Sequence, residues 1–179
     1  QRMYPENFIP KNAYEKANKQ KEDLRNQSGF SMMSPFDTWT SVGPSPGFYF
    51  GYSNITSRMA TVKYDPANPN VIYIGAACGG IWKSTDAGLT WTAKSDYEAS
   101  LSSGSIAIDQ SNTNIIYYGT GEATYSGVSY YGRGLLKSAD AGNTWSNISA
   151  DLPSASFTSR IIIRPNYPSQ LLAAMSYEG

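Results

Sequence analysis

Gly80-Ile-Trp-Lys-Ser-Thr-Asp-Ala-Gly-Leu-Thr-Trp-Thr92 returns 54 residues later as Gly134-Leu-Leu-Lys-Ser-Ala-Asp-Ala-Gly-Asn-Thr-Trp-Ser146. Upstream of each copy lies a second matched pair. Tyr64-Asp-Pro-Ala-Asn-Pro-Asn-Val-Ile-Tyr-Ile-Gly75 is followed, 44 residues on, by Ile108-Asp-Gln-Ser-Asn-Thr-Asn-Ile-Ile-Tyr-Tyr-Gly119. A third copy opens at Ile163-Arg-Pro-Asn-Tyr-Pro168 and runs through Leu171-Leu-Ala-Ala174. Repetition at a near-fixed period makes the chain a series of like units, each too small to bury its own apolar face.

Every full copy reads as four short strands. The first is Met59–Tyr64 or Ser105–Asp109, and the second Val71–Gly75 or Ile115–Gly119. The third is Ile81–Ser84 or Leu135–Ser138, and the fourth starts at Thr90 or Thr144. Four-stranded units at about 50-residue spacing predict the blades of an all-β propeller. The blades are expected at about 58–95 and 104–149, with a third begun at 159. Asp37-Thr-Trp-Thr-Ser41 matches Leu89-Thr-Trp-Thr-Ala93 and reads as a lone fourth strand. A ring takes typically 4–8 blades, so residues 36–179 are expected to be part of a propeller, completed by blades of the same or another chain.

Composition fits this and excludes several classes. Lys+Arg and Asp+Glu are 14 each, which leaves no basic face for nucleic acid. There are 14 Tyr and 16 Gly, suited to short strands and tight turns. No apolar run is long enough to span a membrane. Without a single His, imidazole chemistry is absent, and no cofactor or metal is expected. Cys78 has no partner cysteine and no His to activate it. Residues 1–35 differ from the rest: Lys11–Arg25 is polar and reads as a surface helix or leader, and Gln27–Pro35 as a linker.

The pattern Ser-x-Asp-x-Gly-x-Thr-Trp occurs at Ser84, Asp86, Gly88, Thr90 and Trp91 and again at Ser138, Asp140, Gly142, Thr144 and Trp145. It resembles the Asp box of sialidases, sorting receptors of the VPS10 kind, propeller xyloglucanases and photosystem assembly factors, also called the BNR repeat. The residue types have local reasons: Asp accepts backbone N–H groups in a tight turn, Gly supplies φ > 0, and Trp packs between blades. The resemblance implies a structural role for these residues. Trp39-Thr-Ser-Val-Gly-Pro44, Gly119-Thr-Gly-Glu-Ala123 and Tyr130-Tyr-Gly-Arg-Gly134 further resemble secreted bacterial proteins, notably of the Bacteroidota, many with a C-terminal sorting domain of the type IX secretion kind. That resemblance implies secretion or surface display.

Antiparallel strands alternate direction, so loops joining strands two to three, and four to the next strand one, share the face opposite the Asp-box turns. On that face the second blade carries ten extra residues, since Gly75 to Gly80 spans five positions and Gly119 to Gly134 fifteen. This insert holds Glu122, Tyr125, Tyr130, Tyr131 and Arg133, while Gly43–Ser57 holds Tyr49 and Tyr52, and Ser95–Ser103 holds Asp96, Tyr97 and Glu98. Aromatic rings beside carboxylates and an Arg are what a glycan or peptide site needs; the same rings also serve packing. Glu122 is the candidate for catalysis, although ordinary glycoside hydrolysis needs two carboxylates. Arg58, Arg133 and Arg160 are the cations available to converge on a ligand. Three functions fit: a secreted or cell-surface module that binds glycan or protein, favoured by the residues alone; a glycoside hydrolase whose catalytic groups lie partly outside this segment; and a VPS10-like peptide receptor. Neither the Phe-Arg-Ile-Pro segment of sialidases nor a matching xyloglucanase catalytic Asp segment is present.

Overall fold

The structure, a computed structural model, describes residues 13–26, 47–49, 53–55, 58–124, 129–149 and 155–177. Tyr52, Tyr125, the Gln27–Pro35 segment and the strand expected at Asp37–Ser41 lie outside these residues. Residues 1–56 and 57–179 are two compact units. The first contains helix α1 (Ala13–Asn26), with Lys16, Ala17, Lys19, Gln20, Glu22 and Asp23 exposed as a polar surface helix requires. It also contains an antiparallel hairpin, β1 (Gly47–Tyr49) with β2 (Ser53–Ile55), in a stretch expected to be loop.

The second unit is built of blades. The first sheet has the order β3-β4-β5-β6, comprising Met59–Tyr64, Ile72–Ala76, Gly80–Ser84 and Thr92–Ala93. The second repeats it as β7-β8-β9-β10, comprising Ser103–Ile108, Ile116–Thr120, Leu135–Ser138 and Ser146–Asn147. A hairpin of β11 (Ser156–Arg164) and β12 (Tyr167–Tyr177) supplies the first two strands of the third. All pairings within the sheets are antiparallel between chain neighbours, and the second unit is a partial β-propeller.

Period-2 alternation explains how blades stack. Along β8 all five residues are buried. Ile116 and Tyr118 face the first blade, meeting its Tyr73 and Ile81 together with Ile106 and Leu136. The intervening Tyr117 faces the third, where it joins Ala107, Leu135 and Ile161. Each fully buried side chain of this size contributes about 1.5–3 kcal/mol, so the two seams between blades are the core. Polar bonds cross both seams. Tyr73 Oη donates to the Ala141 carbonyl at 3.2 Å, and Tyr117 Oη to the Pro168 carbonyl at 3.0 Å. Trp145 Nε1 donates to the Lys94 carbonyl at 2.7 Å.

The fourth strands differ from expectation. They begin at Thr92 and Ser146 and are two residues long, because Thr90 and Thr144 belong to the preceding turn. Thr90 donates its backbone N–H (2.9 Å) and hydroxyl (2.6 Å) to the Asp86 carboxylate. Thr144 does the same to Asp140, at 2.8 Å and 2.7 Å. The third copy differs too. Its strands join through a tight turn at Pro165-Asn166, with Asn166 at φ 65°, in place of the longer Asp-led turns of the first two blades.

Candidate functional site

Each repeated turn is a closed set of hydrogen bonds. Ser84 Oγ donates to Asp86 Oδ1 at 2.7 Å and accepts the Gly88 N–H at 2.8 Å. Ser138 repeats both contacts with Asp140 and Gly142, at 2.8 Å and 2.9 Å. Gly88 and Gly142 have φ of 94° and 86°, and the alanines before them are also left-handed, at 57° and 59°. A left-handed Ala costs about 1–2 kcal/mol. At both positions its N–H is fixed by the carbonyl of the strand-one turn, Asn70 or Asn114, at 2.9 Å. Hydrogen bonding to the charged form holds the Asp86 and Asp140 carboxyls at about 2, below the ordinary 3.8, led by the Thr90 and Thr144 hydroxyls. The turns employ these carboxylates fully in holding hairpins together.

At the other end of β5 and β9, roughly 13 Å away along four residues of strand, lie Glu122, Tyr130, Tyr131 and Arg133. Glu122 follows β8 and is 1% exposed. Its Oε2 pairs with Arg58 Nη2 of the first blade, and its Oε1 accepts the Thr124 hydroxyl. Its backbone N–H bonds Ser102 Oγ and the Tyr130 carbonyl, both at 3.1 Å, and a parallel bridge ties it to Thr158 of the third blade. Three blades thus meet at one buried residue. Tyr130 and Tyr131 are about half-exposed beside it, with Ser102 Oγ donating to the Tyr130 carbonyl at 2.9 Å and the Tyr131 ring 4.9 Å from that of Phe157. Tyr97, on the neighbouring 95–102 loop, is 71% exposed. Arg133 is anchored through its backbone N–H to Thr120 Oγ1 at 2.6 Å. Tyr49 lies on β1 in the first unit.

Cys78 is exposed at the same end. Burial of the thiol raises its pKa, as does the nearby Glu122 charge, while Arg58 opposes them. The thiol is thus held in its less nucleophilic form. Of the three candidate cations, Arg58 pairs with Glu122, and Arg160 lines a groove of about 630 Å³ along the first strands, with Lys63, Tyr64, Asp109 and Arg164.

Sequence reasoning missed two features. The Arg58–Glu122 pair joins residues 64 apart outside the repeats, so no periodic signal marks it. Ser95 and Ser149 were legible, being 54 residues apart like the rest of the motif. Their hydroxyls accept the Ile81 and Leu135 N–H groups at 2.8 Å and 2.7 Å. Gly80 and Gly134 lie against them, where a Cβ would come within 2.2 Å and 2.0 Å of the serine oxygens.

No protein-family profile matches the chain. A xyloglucanase of Hypocrea jecorina (strain QM6a) is 47% identical over 51 residues, which are 28% of this chain and 6% of that protein. Among solved structures, an ancestral GH74 enzyme matches with a TM-score of 0.55 at 22% identity, over 68% of this chain and 14% of its own. A GH74 enzyme of Niastella koreensis matches with a TM-score of 0.50 at 25% identity, over 64% of this chain and 16% of its own. The chain therefore spans a small part of the proteins it resembles, and the fold it shares with these enzymes is the blade stack described above.

Proposed function

We propose that this chain is a segment of a propeller glycoside hydrolase acting on xyloglucan or a closely related polysaccharide outside the cell, with acid and base groups lying partly outside it. The observation that carries this reading is the 47% identity over 51 residues to a xyloglucanase. It favours the hydrolase over the adhesion module that the residues alone favour, and the likeness of fold to GH74 enzymes agrees with it. The finer assignment of the repeated turns as Asp boxes belongs to the same proposal, supported by their serine, aspartate and threonine hydrogen bonds.

Within such an enzyme Glu122 supplies wall and not acid–base chemistry. Glu122 has both carboxylate oxygens engaged, by Arg58 and Thr124, and is sealed from solvent. A general acid or base must reach the glycosidic oxygen or a water. The exposed Tyr97, Tyr130 and Tyr131 are suited instead to lie against the apolar C–H faces of sugar rings. The test is to incubate the protein with xyloglucan and read released oligosaccharides by mass spectrometry. Release supports the hydrolase. Retention of the polysaccharide with no release returns the protein to the glycan-binding reading.

A further inference from the structure

We propose that the groove along the first strands binds a saccharide bearing a carboxylate, with Lys63 and Arg160 holding that carboxylate and Asp109 accepting a sugar hydroxyl. The groove, of about 630 Å³, is walled by all three blades, through Lys63 and Tyr64 of the first, Asp109 of the second and Arg160 of the third. Its volume falls in the range of ligand sites, roughly 300–1,000 Å³. Asp109 follows β7, whose Ile108 end pairs with Ile116 and whose Ser103 end pairs with Thr120, close to Glu122. The length of β7 therefore puts about 16 Å between this site and the tyrosine-bearing end. The site does not depend on the hydrolase reading.

Asp109 is set up to receive a donor. It is 3% exposed, and its Oδ1 accepts both the N–H and the hydroxyl of Ser111, at 2.8 Å and 2.7 Å. Those two bonds close the turn and fix the carboxylate. Oδ2 is buried, lines the groove with its residue, and has no hydrogen-bond partner among the described residues. A buried charged oxygen without a donor is costly, and most such groups have a partner. The turn does not require it. At the matching position of the first copy, Asp65 closes its turn through Oδ1, which accepts the Ala67 and Asn68 N–H groups at 2.8 Å and 3.3 Å. In the third copy that position is Arg164, with no carboxylate at all.

The charges of the groove define the ligand. Lys63, Arg160 and Arg164 face the single carboxylate of Asp109. Arg164 is already engaged, its guanidinium 4.3 Å from the Tyr167 ring centroid and its Nη1 donating to Gln170 Oε1 at 2.7 Å. Lys63 and Arg160 are exposed and make no side-chain hydrogen bond or ion pair among the described residues. A metal ion or an amine would answer Asp109 but meet three like charges. A simple anion would answer the cations and leave Oδ2 without a donor. A hydroxylated carboxylate answers both. Tyr64, at 63% exposure, and the rings of Pro66 and Pro165 add surface for apolar C–H faces. A uronic acid unit combines carboxylate, hydroxyls and such faces in one pyranose ring.

The test is titration calorimetry of the native protein with trigalacturonic acid and with its neutral methyl ester at neutral pH. The parent is compared with a Lys63→Gln, Arg160→Gln double variant and with Asp109→Ser. We expect saturable binding of the acid, about tenfold weaker for the ester and in the double variant, as for lost charge-assisted bonds. Asp109→Ser keeps an acceptor for the Ser111 N–H and removes Oδ2. Losing a negative charge would by itself tighten the binding of an anion. Binding weakened about tenfold in Asp109→Ser therefore reports the lost hydroxyl acceptor. Equal or tighter binding there overturns the role of Asp109. No saturable binding, equal binding of acid and ester, or full binding in the double variant overturns the proposal. The double variant changes two exposed side chains only, so it decides the matter even where Asp109→Ser lowers the Tm. Tyr130→Ala leaves the binding unchanged; its loss there would move the ligand to the other end of the strands and overturn the proposal.

Discussion

Arg58 Nη2 and Glu122 Oε2 stand 2.5 Å apart across the joint between the first and second blades. The carboxylate is sealed while the guanidinium remains 44% exposed, so the pair is a buried anion held by a half-solvated cation. Removing one partner of a charge-assisted bond typically costs about 1.5–3 kcal/mol. Solvent around Arg58 moves the expectation to the lower end of that range. Glu122→Gln should lower the Tm accordingly, while hydrolysis of xyloglucan per folded molecule stays within a few-fold of the parent. Loss of turnover by orders of magnitude at unchanged Tm would instead make Glu122 a catalytic group.

Tyr73 carries one polar tie across the first seam, and its ring lies 5.2 Å from Lys83 Nζ. Tyr73→Phe retains the ring and removes only the hydroxyl. A net hydrogen bond contributes about 0.5–1.5 kcal/mol, and the Ala141 carbonyl loses its tyrosine donor. Denaturant unfolding should show a loss of about 1 kcal/mol, and Tyr117→Phe a similar loss at the second seam. A null effect at both would mean the tyrosine hydroxyls add nothing to the seams beyond the packing of their rings.

Asp86 and Asp140 tie the stability of their turns to pH in the acid range. Their folded pKa of about 2 lies below the ordinary 3.8, so in this range the unfolded chain binds more protons than the folded one. The stabilisation is fully present above pH 4 and is lost as pH falls toward 2. Tm measured across that interval should drop, and the drop should be shallower in an Asp86→Asn, Asp140→Asn double variant. An equal slope in parent and variant would assign the acid sensitivity to other carboxylates.

Tyr130 is half-exposed, and its carbonyl accepts the Ser102 hydroxyl and the Glu122 N–H. Tyr130→Ala should therefore raise KM for xyloglucan, or Kd if no turnover is seen, with Tm nearly unchanged. Tyr131→Ala should in addition cost about 1 kcal/mol of stability, because its ring packs on Phe157. Unchanged binding in both would leave these rings as loop packing.

The blade architecture was legible because its causes are local and repeated. Ser84-x-Asp86-x-Gly88 and Ser138-x-Asp140-x-Gly142 fold their own turns, and alternation around Tyr73 and Tyr117 fixes which side chains enter each seam. The fourth strands were placed two residues early because threonine reads as a strand former, while Thr90 and Thr144 spend their donors on aspartate. The environment of Glu122 was not legible. It depends on Arg58, Ser102 and Thr158, three positions from three blades that only the folded stack brings together. Function was the least legible, since exposed tyrosines beside a carboxylate serve a binding module and a hydrolase equally.

The most direct measurement is a time course of reducing ends released from xyloglucan by the native protein, beside an unbranched β-glucan as control. The account predicts release from xyloglucan in proportion to enzyme and time, retained in Glu122→Gln and weakened through KM in Tyr130→Ala. Tight retention of xyloglucan with no release over the same course would contradict it.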